Sequence, residues 1–341
     1  MQKNYLRNMI LVTGGTGLVG SHLLFQLLQN STETIRAIHR QDSNLEHVLS
    51  VFKLYDEEQA EKLFEKIDWV EANILDIPLL SEAFKGITHV YHCAGFISYD
   101  VRDAKIMRRI NIEGTANVVN LCLHHDIKKL CHVSSIAAIG STINDKPITE
   151  DTVWNPELSH SHYAWSKYGG EMEVWRGSQE GLHVVIVNPG VVIGPGYWKS
   201  GSGLLFTKVA NGLKYTPILT TGFVDVFDVV KPMISLMESD YQKERYILVS
   251  ESLRFDSVVN KIANALQKQP PKKTLESWMV FMGWAFQSIG HTLFNTKKTI
   301  TYDSIKGVFS KSVYSNNKLK DALNYNFKLI NESIKDTAAH Y

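Results

Sequence analysis

The segment ILVTGGTGLVGSHLL, residues 10–24, constrains the fold more than any other part of the chain. The run 9–12 is short and apolar and reads as a strand. Glycines follow at two overlapping spacings, Gly14-x-x-Gly17-x-x-Gly20 and Gly15-x-Gly17-x-x-Gly20, and 18–29 then reads as a helix. Glycine accepts positive φ and lets a second group come close to the backbone. The unpaired N–H groups and the dipole at a helix start attract an anion. Strand, glycine turn and helix in this order form a dinucleotide fingerprint, in which the pyrophosphate sits on the helix start. A tight turn without a ligand is the alternative, and the strand before the turn argues against it.

The rest of the chain continues the alternation. Apolar runs at 35–39, 69–74, 89–93, 129–134 and 184–188 read as strands, and helical stretches lie near 43–66, 79–85, 104–125 and 163–179. Such alternation implies a parallel sheet with right-handed crossovers and helices on both faces. The expected fold is α/β, a Rossmann-type doubly wound parallel sheet with a smaller C-terminal substrate-binding cap. After Gly190 the pattern breaks, and glycine, proline and aromatic residues crowd 194–222 before a strand-like RYILVS at 245–250. The expected division gives residues 1–190 and 223–250 to the dinucleotide-binding domain, and 191–222 and 251–341 to the cap.

With 341 residues the chain suits one large α/β unit or two domains. A formal net charge of +1 offers no basic face, so nucleic acid is not an expected partner. The three cysteines, Cys93, Cys122 and Cys131, lack metal spacing and read as free thiols in a reducing cytoplasm. The start, MQKNYLRN, is polar and no secretory signal is expected after it. No apolar stretch is long enough to span a bilayer, and membrane contact is not expected. The helical stretch LESWMVFMGWAFQSIG, 275–290, has one apolar face and reads as a cap helix or pocket lid, with a dimer surface or an interfacial anchor as alternatives. His160 and His162 have no carboxylate or cysteine at ligand spacing, and no metal is expected.

The second strand ends in AIHRQDS. The acidic residue that would hold a ribose 2′-hydroxyl is replaced by Ile38 and His39, and Arg40 follows. A guanidinium suits a 2′-phosphate, so NADP is the expected cofactor, with NAD as the second choice. Further along, Tyr163 and Lys167 in SHYAWSK are four residues apart on a helical stretch and share one face. HVSSIAAIG lies upstream and ends a strand in Ser134-Ser135. A phenol with a pKa of about 10 is a poor acid–base group near neutrality. A lysine cation roughly 4 Å away, at an effective dielectric of 20, would lower it by about three units.

Together with the turn from Thr13 to Gly20, these residues resemble the extended short-chain dehydrogenase/reductase family, also called the NAD-dependent epimerase/dehydratase superfamily. YHCAG (91–95), NIEGT (111–115), NPGVVIGPG (188–196) and FVDVFDVV (223–230) match its further motifs in order, so the resemblance covers nearly the whole chain. NPGVVIGPG, with Asn188 before Pro189, is similar to the dihydroflavonol-reductase and hydroxysteroid-dehydrogenase side. The resemblance implies that Tyr163 is the general acid/base and that Lys167 tunes it and grips the nicotinamide ribose. It implies that Ser135 hydrogen-bonds the reacting oxygen and that Asn111 orients the active-site backbone and water. It places Thr13, Gly14, Gly17, Leu18, Val19 and Gly20 at the pyrophosphate, and Arg40, Asn73 and Ile74 at the adenosine end. Ala94, Gly95, Pro189, Val191 and Val192 join Tyr163 and Lys167 towards the nicotinamide.

Two positions depart from the pattern: Asn73 stands where the family usually has aspartate, and Phe227 where it commonly has arginine. The loss of that arginine argues mildly against a nucleotide-sugar substrate. Phe96, Tyr99, Trp154, Trp165, Tyr197, Trp198 and Phe206 are candidates for an apolar pocket, with core packing as the alternative for each. The expected function is NADP-dependent reduction of a ketone or aldehyde on a hydrophobic small molecule. The rivals are a nucleotide-sugar epimerase or dehydratase with tightly bound NAD, and a non-catalytic NADP-sensing protein. A homodimer through the helices at 104–125 and 163–179 is left open.

Overall fold

The computed structural model describes residues 9–98, 100–142, 146–276, 279, 287 and 310–341. The stretch 275–290 falls outside them except for Leu275, Glu276, Met279 and Gln287, as does Tyr99. Seven parallel strands form the main sheet: β1 (Met9–Thr13), β2 (Thr34–His39), β3 (Ile67–Glu71), β4 (His89–His92), β5 (Lys129–Val133), β6 (Val184–Pro189) and β10 (Glu244–Leu248). Their order is β10-β6-β5-β4-β1-β2-β3. The chain builds outward from β1 to β3, returns to β4 and builds the other way. The order therefore reverses between β1 and β4, and such a switch point leaves a crevice at the strands' C-terminal ends.

The strands are apolar on both faces and alternate between two helix layers. Ile10, Val12, Cys131, Val185 and Val187 pack on one side with Leu23, Leu24 and Phe52. Leu11, Leu130, Val184 and Ile186 pack on the other with Val118, Val119 and Val174. The first layer holds helices α1 (Leu18–Asn30), α2 (Leu45–Lys53) and α9 (Phe227–Glu238). The second holds α4 (Ile77–Ala83), α6 (Gly114–His124) and α7 (His162–Gln179). The helical stretch expected over 43–66 is two helices, because the polar Asp56-Glu57-Glu58-Gln59 interrupts its apolar face between α2 and α3 (Ala60–Phe64). The stretch 104–125 is a short helix, α5 (Ala104–Arg108), a π-helical turn at Arg109–Glu113 and then α6.

A second sheet, of three strands, contains β7 (Val191–Ile193), β9 (Thr220–Asp225) and β11 (Glu251–Arg254), with β9 central. It packs with α8 (Gly203–Ala210), α10 (Phe255–Ala265) and the last helix, Ile330–Ala339, around Ile193, Phe206, Phe223, Val259, Ile262 and Ile334. A short pair joins β8 (Tyr215–Thr216) to β12 (Lys273–Thr274). Late residues then run back over earlier ones. Thr220 N–H donates to Ser310 O at 2.9 Å, Ile148 N–H to Val313 O at 2.8 Å, and Ser315 N–H to Ile148 O at 2.8 Å.

Candidate active site

The glycine turn lies at the switch point. Gly14 has φ +70°. A Cβ on it would sit 2.5 Å from Ala94 N, so β1 can meet the end of β4 only with glycine here. A Cβ on Gly20 would sit 2.1 Å from the Gly14 carbonyl oxygen, which fixes how deeply α1 seats under the turn. Gly17 is different: its nearest foreign atom would be Gly14 O at 3.5 Å. It is the N-cap of α1, the first turn carries no acidic residue, and its N–H bonds Gly14 O at 3.0 Å. An uncovered helix start without a competing carboxylate fits a pyrophosphate. The Tyr197 hydroxyl, from the loop after β7, donates to Thr16 O at 2.9 Å and braces the turn from outside.

The adenosine-end residues are split. Arg40 is exposed and its Nε pairs with Asp42 at 3.1 Å. It lines a cavity of about 550 Å³ with Asp42, Glu71, Asn73 and Asp76. The Asn73 side-chain oxygen already accepts from Leu75 N–H at 3.0 Å, so its amide donors are what it offers the cavity. Ile74 is buried: its side chain fills the notch at Gly114 on α6, and its carbonyl accepts from Asn117 Nδ2 at 2.9 Å.

At the other end, Ser135, Asn111 and Lys167 come together around the ends of β4 and β5. Ser135 caps the short 3₁₀ turn Ile136–Ala138, with its Oγ accepting from Ala137 N–H at 3.1 Å. That hydroxyl keeps its proton to donate. Tyr163 stands in the first turn of α7, whose N-cap is Ser161, and is half-buried. Lys167 follows one turn later and is buried. Its Nζ donates to Val133 O at 2.8 Å, its partner among the described residues. An ammonium has three donors, so two are available to a ligand. A Cβ on Gly95 would lie 3.8 Å from this Nζ and 3.5 Å from Asn111 Oδ1, so the absence of a side chain there keeps the approach open. Asn111 sits in the π-helical turn. Its Oδ1 accepts from Phe96 N–H at 2.7 Å, and its Nδ2 donates to Phe96 O at 2.8 Å and to Ser166 Oγ at 2.9 Å. It thus ties the exit of β4 to α7.

Burial pushes the Lys167 ammonium down to about 8, against an upward pull from Glu171. The sign follows from the comparison with a free lysine. Because the folded value is the lower one, burial of the cation opposes folding below about pH 8, and that opposition is relieved as pH rises towards the unfolded value. A ligand that accepts from the ammonium gains its contact below the same pH.

Several residues at the site did not stand out in the sequence. His92, beneath the turn, bonds Thr13 Oγ1 through Nδ1 at 2.7 Å and Thr115 Oγ1 through Nε2 at 3.0 Å. Thr115 Oγ1 donates to Asn111 O and Thr13 Oγ1 accepts from Ala94 N–H, so the chain's direction assigns the ring a neutral Nε2–H form. Burial, helped by Lys167, pushes His92 down to about 3. His132 stacks on it at 5.1 Å and is also held neutral by burial. Below Ser135 lies a buried carboxylate, Glu171, bonded by Ser134 Oγ at 2.6 Å and Asn188 Nδ2 at 2.8 Å. Its spacing, four residues after Lys167 and eight after Tyr163, was the available signal.

The candidate pocket aromatics diverge. Phe206 is fully buried in the layer of the three-stranded sheet, so packing accounts for it. Trp154 is stacked between His160 at 3.8 Å and Tyr168 at 4.4 Å, and this stack holds the segment that leads into Tyr163. His162 is exposed. The Phe227 ring packs edge-on to His22 at 5.6 Å and Tyr55 at 5.1 Å in the α1–α2 layer. No cluster of three or more metal-ligating side chains occurs among the described residues, and no helix there is long and apolar enough to cross a membrane.

Val191 and Val192 lie beyond Pro189 on β7, half-buried, where the two sheets meet. Leu18 and Val19 open α1 beside the turn. Residues 10–248 match the family described as "NAD dependent epimerase/dehydratase family". The cinnamoyl-CoA reductase CAD2 of Medicago truncatula is 29% identical over 273 residues, 76% of this chain and 81% of that one. The dihydroflavonol 4-reductase of Dianthus caryophyllus is 24% identical over 302 residues, 85% and 80% of the two chains. The crystal structure of UDP-glucuronic acid 4-epimerase from Bacillus cereus, in complex with UDP-glucuronic acid and NAD, superposes with a TM-score of 0.75 at 18% identity and covers 97% of this chain and 98% of that one. The chain belongs to the NAD dependent epimerase/dehydratase family and is an enzyme of the extended short-chain dehydrogenase/reductase type, on the side of its dihydroflavonol-reductase-like members.

Proposed function

We propose that this enzyme is an NADP-dependent reductase of a ketone or aldehyde on an apolar small molecule, with Ser135, Tyr163 and Lys167 as its reaction residues. The observation that carries the reading is Lys167, a buried ammonium one helical turn from Tyr163 whose described partner is the Val133 carbonyl. The bound nicotinamide supplies hydride chemistry. The chain's own residues do the rest. The start of α1 and Gly17 receive the pyrophosphate. Lys167 holds the ribose with its two remaining donors and favours the ionised form of the nearby phenol. Ser135 donates to the carbonyl oxygen, and Tyr163 delivers the proton to that oxygen. Asn111 keeps the Phe96 backbone and α7 in register while this happens. The three-stranded sheet with its helices is the cap in this reading, and Val191 and Val192 bring it to the nicotinamide.

Arg40 is the residue we assign to the 2′-phosphate. Titration with NADPH and NADH, followed by nicotinamide fluorescence, tests it directly. The wild type is expected to prefer NADPH, and Arg40→Ala is expected to weaken NADPH binding by about tenfold to a hundredfold, the worth of one charge-assisted contact, while leaving NADH unchanged. Equal loss of both cofactors, or of neither, refutes the assignment. The second reading, a nucleotide-sugar epimerase, is favoured by the carboxylates Asp42, Glu71 and Asp76 around the Arg40 cavity, which disfavour a further phosphate. A purified protein already filled with NAD that does not exchange would establish it over ours.

A further inference from the structure

Glu171 is fully buried, and a buried charge costs desolvation that only partners around it can offset. Its carboxylate gathers four donors from four elements: Ser134 Oγ at the end of β5, Asn188 Nδ2 on β6, Trp175 Nε1 one turn on in α7, and Arg245 on β10 at 2.9 Å. Two of these flank Ser135. Ser134 precedes it, and the amide that Asn188 turns to Glu171 also donates to the Ser135 carbonyl at 3.0 Å. The side-chain oxygen of Asn188 is buried without a partner among the described residues, so its two donations alone set the amide's orientation. Arg245 in turn holds the carbonyls of Glu150 and Thr152, which tether the segment running to Tyr163.

We propose that Glu171 is the positioning residue of this site: one carboxylate fixes both flanks of Ser135 and supplies the negative charge that faces Lys167. The proposal rests on the assignment of Lys167 to the cofactor ribose. Tyr163, Lys167 and Glu171 repeat every four residues and lie on one face of α7. The other titratable groups around Lys167 are Tyr163 on its own helix, His92 at the end of β4 with Cys93 just after it, and His132 from β5. Both histidines are kept neutral by burial, and burial pushes the Cys93 thiol up to about 12, so neither β4 nor β5 brings a charge to Lys167 near neutrality. Near neutrality Glu171 is therefore the charged group that raises Lys167, and Arg245 is not among the groups that set its shift.

The test is NADPH affinity against pH, read by nicotinamide fluorescence on the full chain, for wild type, Glu171→Gln and Glu171→Asp. In the wild type, affinity should fall as pH rises through about 8. In Glu171→Gln that fall should begin about one pH unit lower or more, because a facing charge is gone. In Glu171→Asp it should return to the wild-type position. A structural role alone would weaken binding uniformly at every pH and leave the position of the fall unmoved, and that result overturns the proposal. So does a shift of equal size in Glu171→Asp. A wild type with no alkaline fall refutes Lys167 as the ribose ligand, and the proposal with it. Should Glu171→Gln fail to fold because Arg245 is left unpaired, Glu171→Gln combined with Arg245→Met removes both charges and carries the same expectation.

Discussion

Tyr163→Phe is expected to lower kcat for NADPH-dependent reduction of an apolar aldehyde probe such as cinnamaldehyde by about a hundredfold to ten-thousandfold, the usual worth of a positioned general acid. The NADPH dissociation constant should move by less than about threefold, because the substitution deletes one hydroxyl and leaves the turn, Lys167 and Gly95 in place. The separation follows from the geometry. The proposed pyrophosphate end is built by β1 and α1, whereas Tyr163 enters from α7, on the opposite face of the sheet. Stopped-flow measurement of NADPH oxidation beside an equilibrium titration checks both halves. An unchanged rate would remove Tyr163 from the chemistry and favour the NADP-sensing alternative, since the residue would then have no role in turnover. Parallel loss of rate and affinity would mean that the phenol serves binding and not proton transfer.

Gly20→Ala should have the largest effect on the fold and on cofactor binding together. Its new methyl would lie 2.1 Å from the Gly14 carbonyl oxygen, 2.7 Å from its carbon and 2.9 Å from Gly15 Cα, all backbone atoms of the turn itself. No side chain can swing aside to relieve this. Overpacking of this kind costs on the order of 3 kcal/mol, and in a chain of this size Tm should fall by about 4 °C. NADPH affinity should drop more than about a hundredfold, because the displaced turn no longer presents its N–H groups to a pyrophosphate. Gly86→Ala is the control. Gly86 also has positive φ, +79°, but nothing lies within 4 Å of its Cβ position, so only the backbone strain of about 1 kcal/mol applies and NADPH binding should be unaffected. Differential scanning fluorimetry with and without NADPH separates the two effects. Equal behaviour of the two variants would mean that the close approach at Gly20 does not matter.

Much of this was readable from local pattern. The strand, turn and helix at 9–30 carry their signals within twenty-odd residues, and the parallel order follows from alternation, since parallel strands require crossovers. Tyr163 and Lys167 were readable because a helix converts a spacing of four into one face. Glu171 obeys the same spacing but gave no chemical signal by itself: its meaning depends on Ser134, Asn188 and Arg245, which come from three separate strands or strand ends. His92 was hidden in the same way, because its partners Thr13 and Thr115 are far from it in sequence and near it only across neighbouring elements. Phe227 shows a further limit: a motif gives the residue that is present but not the layer its side chain enters, and here it enters the helix layer beside His22. The break between α2 and α3 escaped because both halves keep a helical period and only the polar run between them interrupts it.

The hydrogen bonds that late residues make across Ile148 and Thr220 have a consequence for how the protein is made. Every strand of the main sheet has been synthesised once Leu248 is reached, so the cofactor half can begin to assemble while translation continues. The backbone hydrogen bonds at Ile148, and those on the second edge of Thr220 beyond its pairing with Arg254, come from residues 310–315. At about 5–20 residues per second, several seconds separate the two events. During that interval the nascent chain carries an assembled main sheet with backbone beside it still partly unpaired, which is the stage at which chaperone contact and premature cofactor loading would have the most influence on yield.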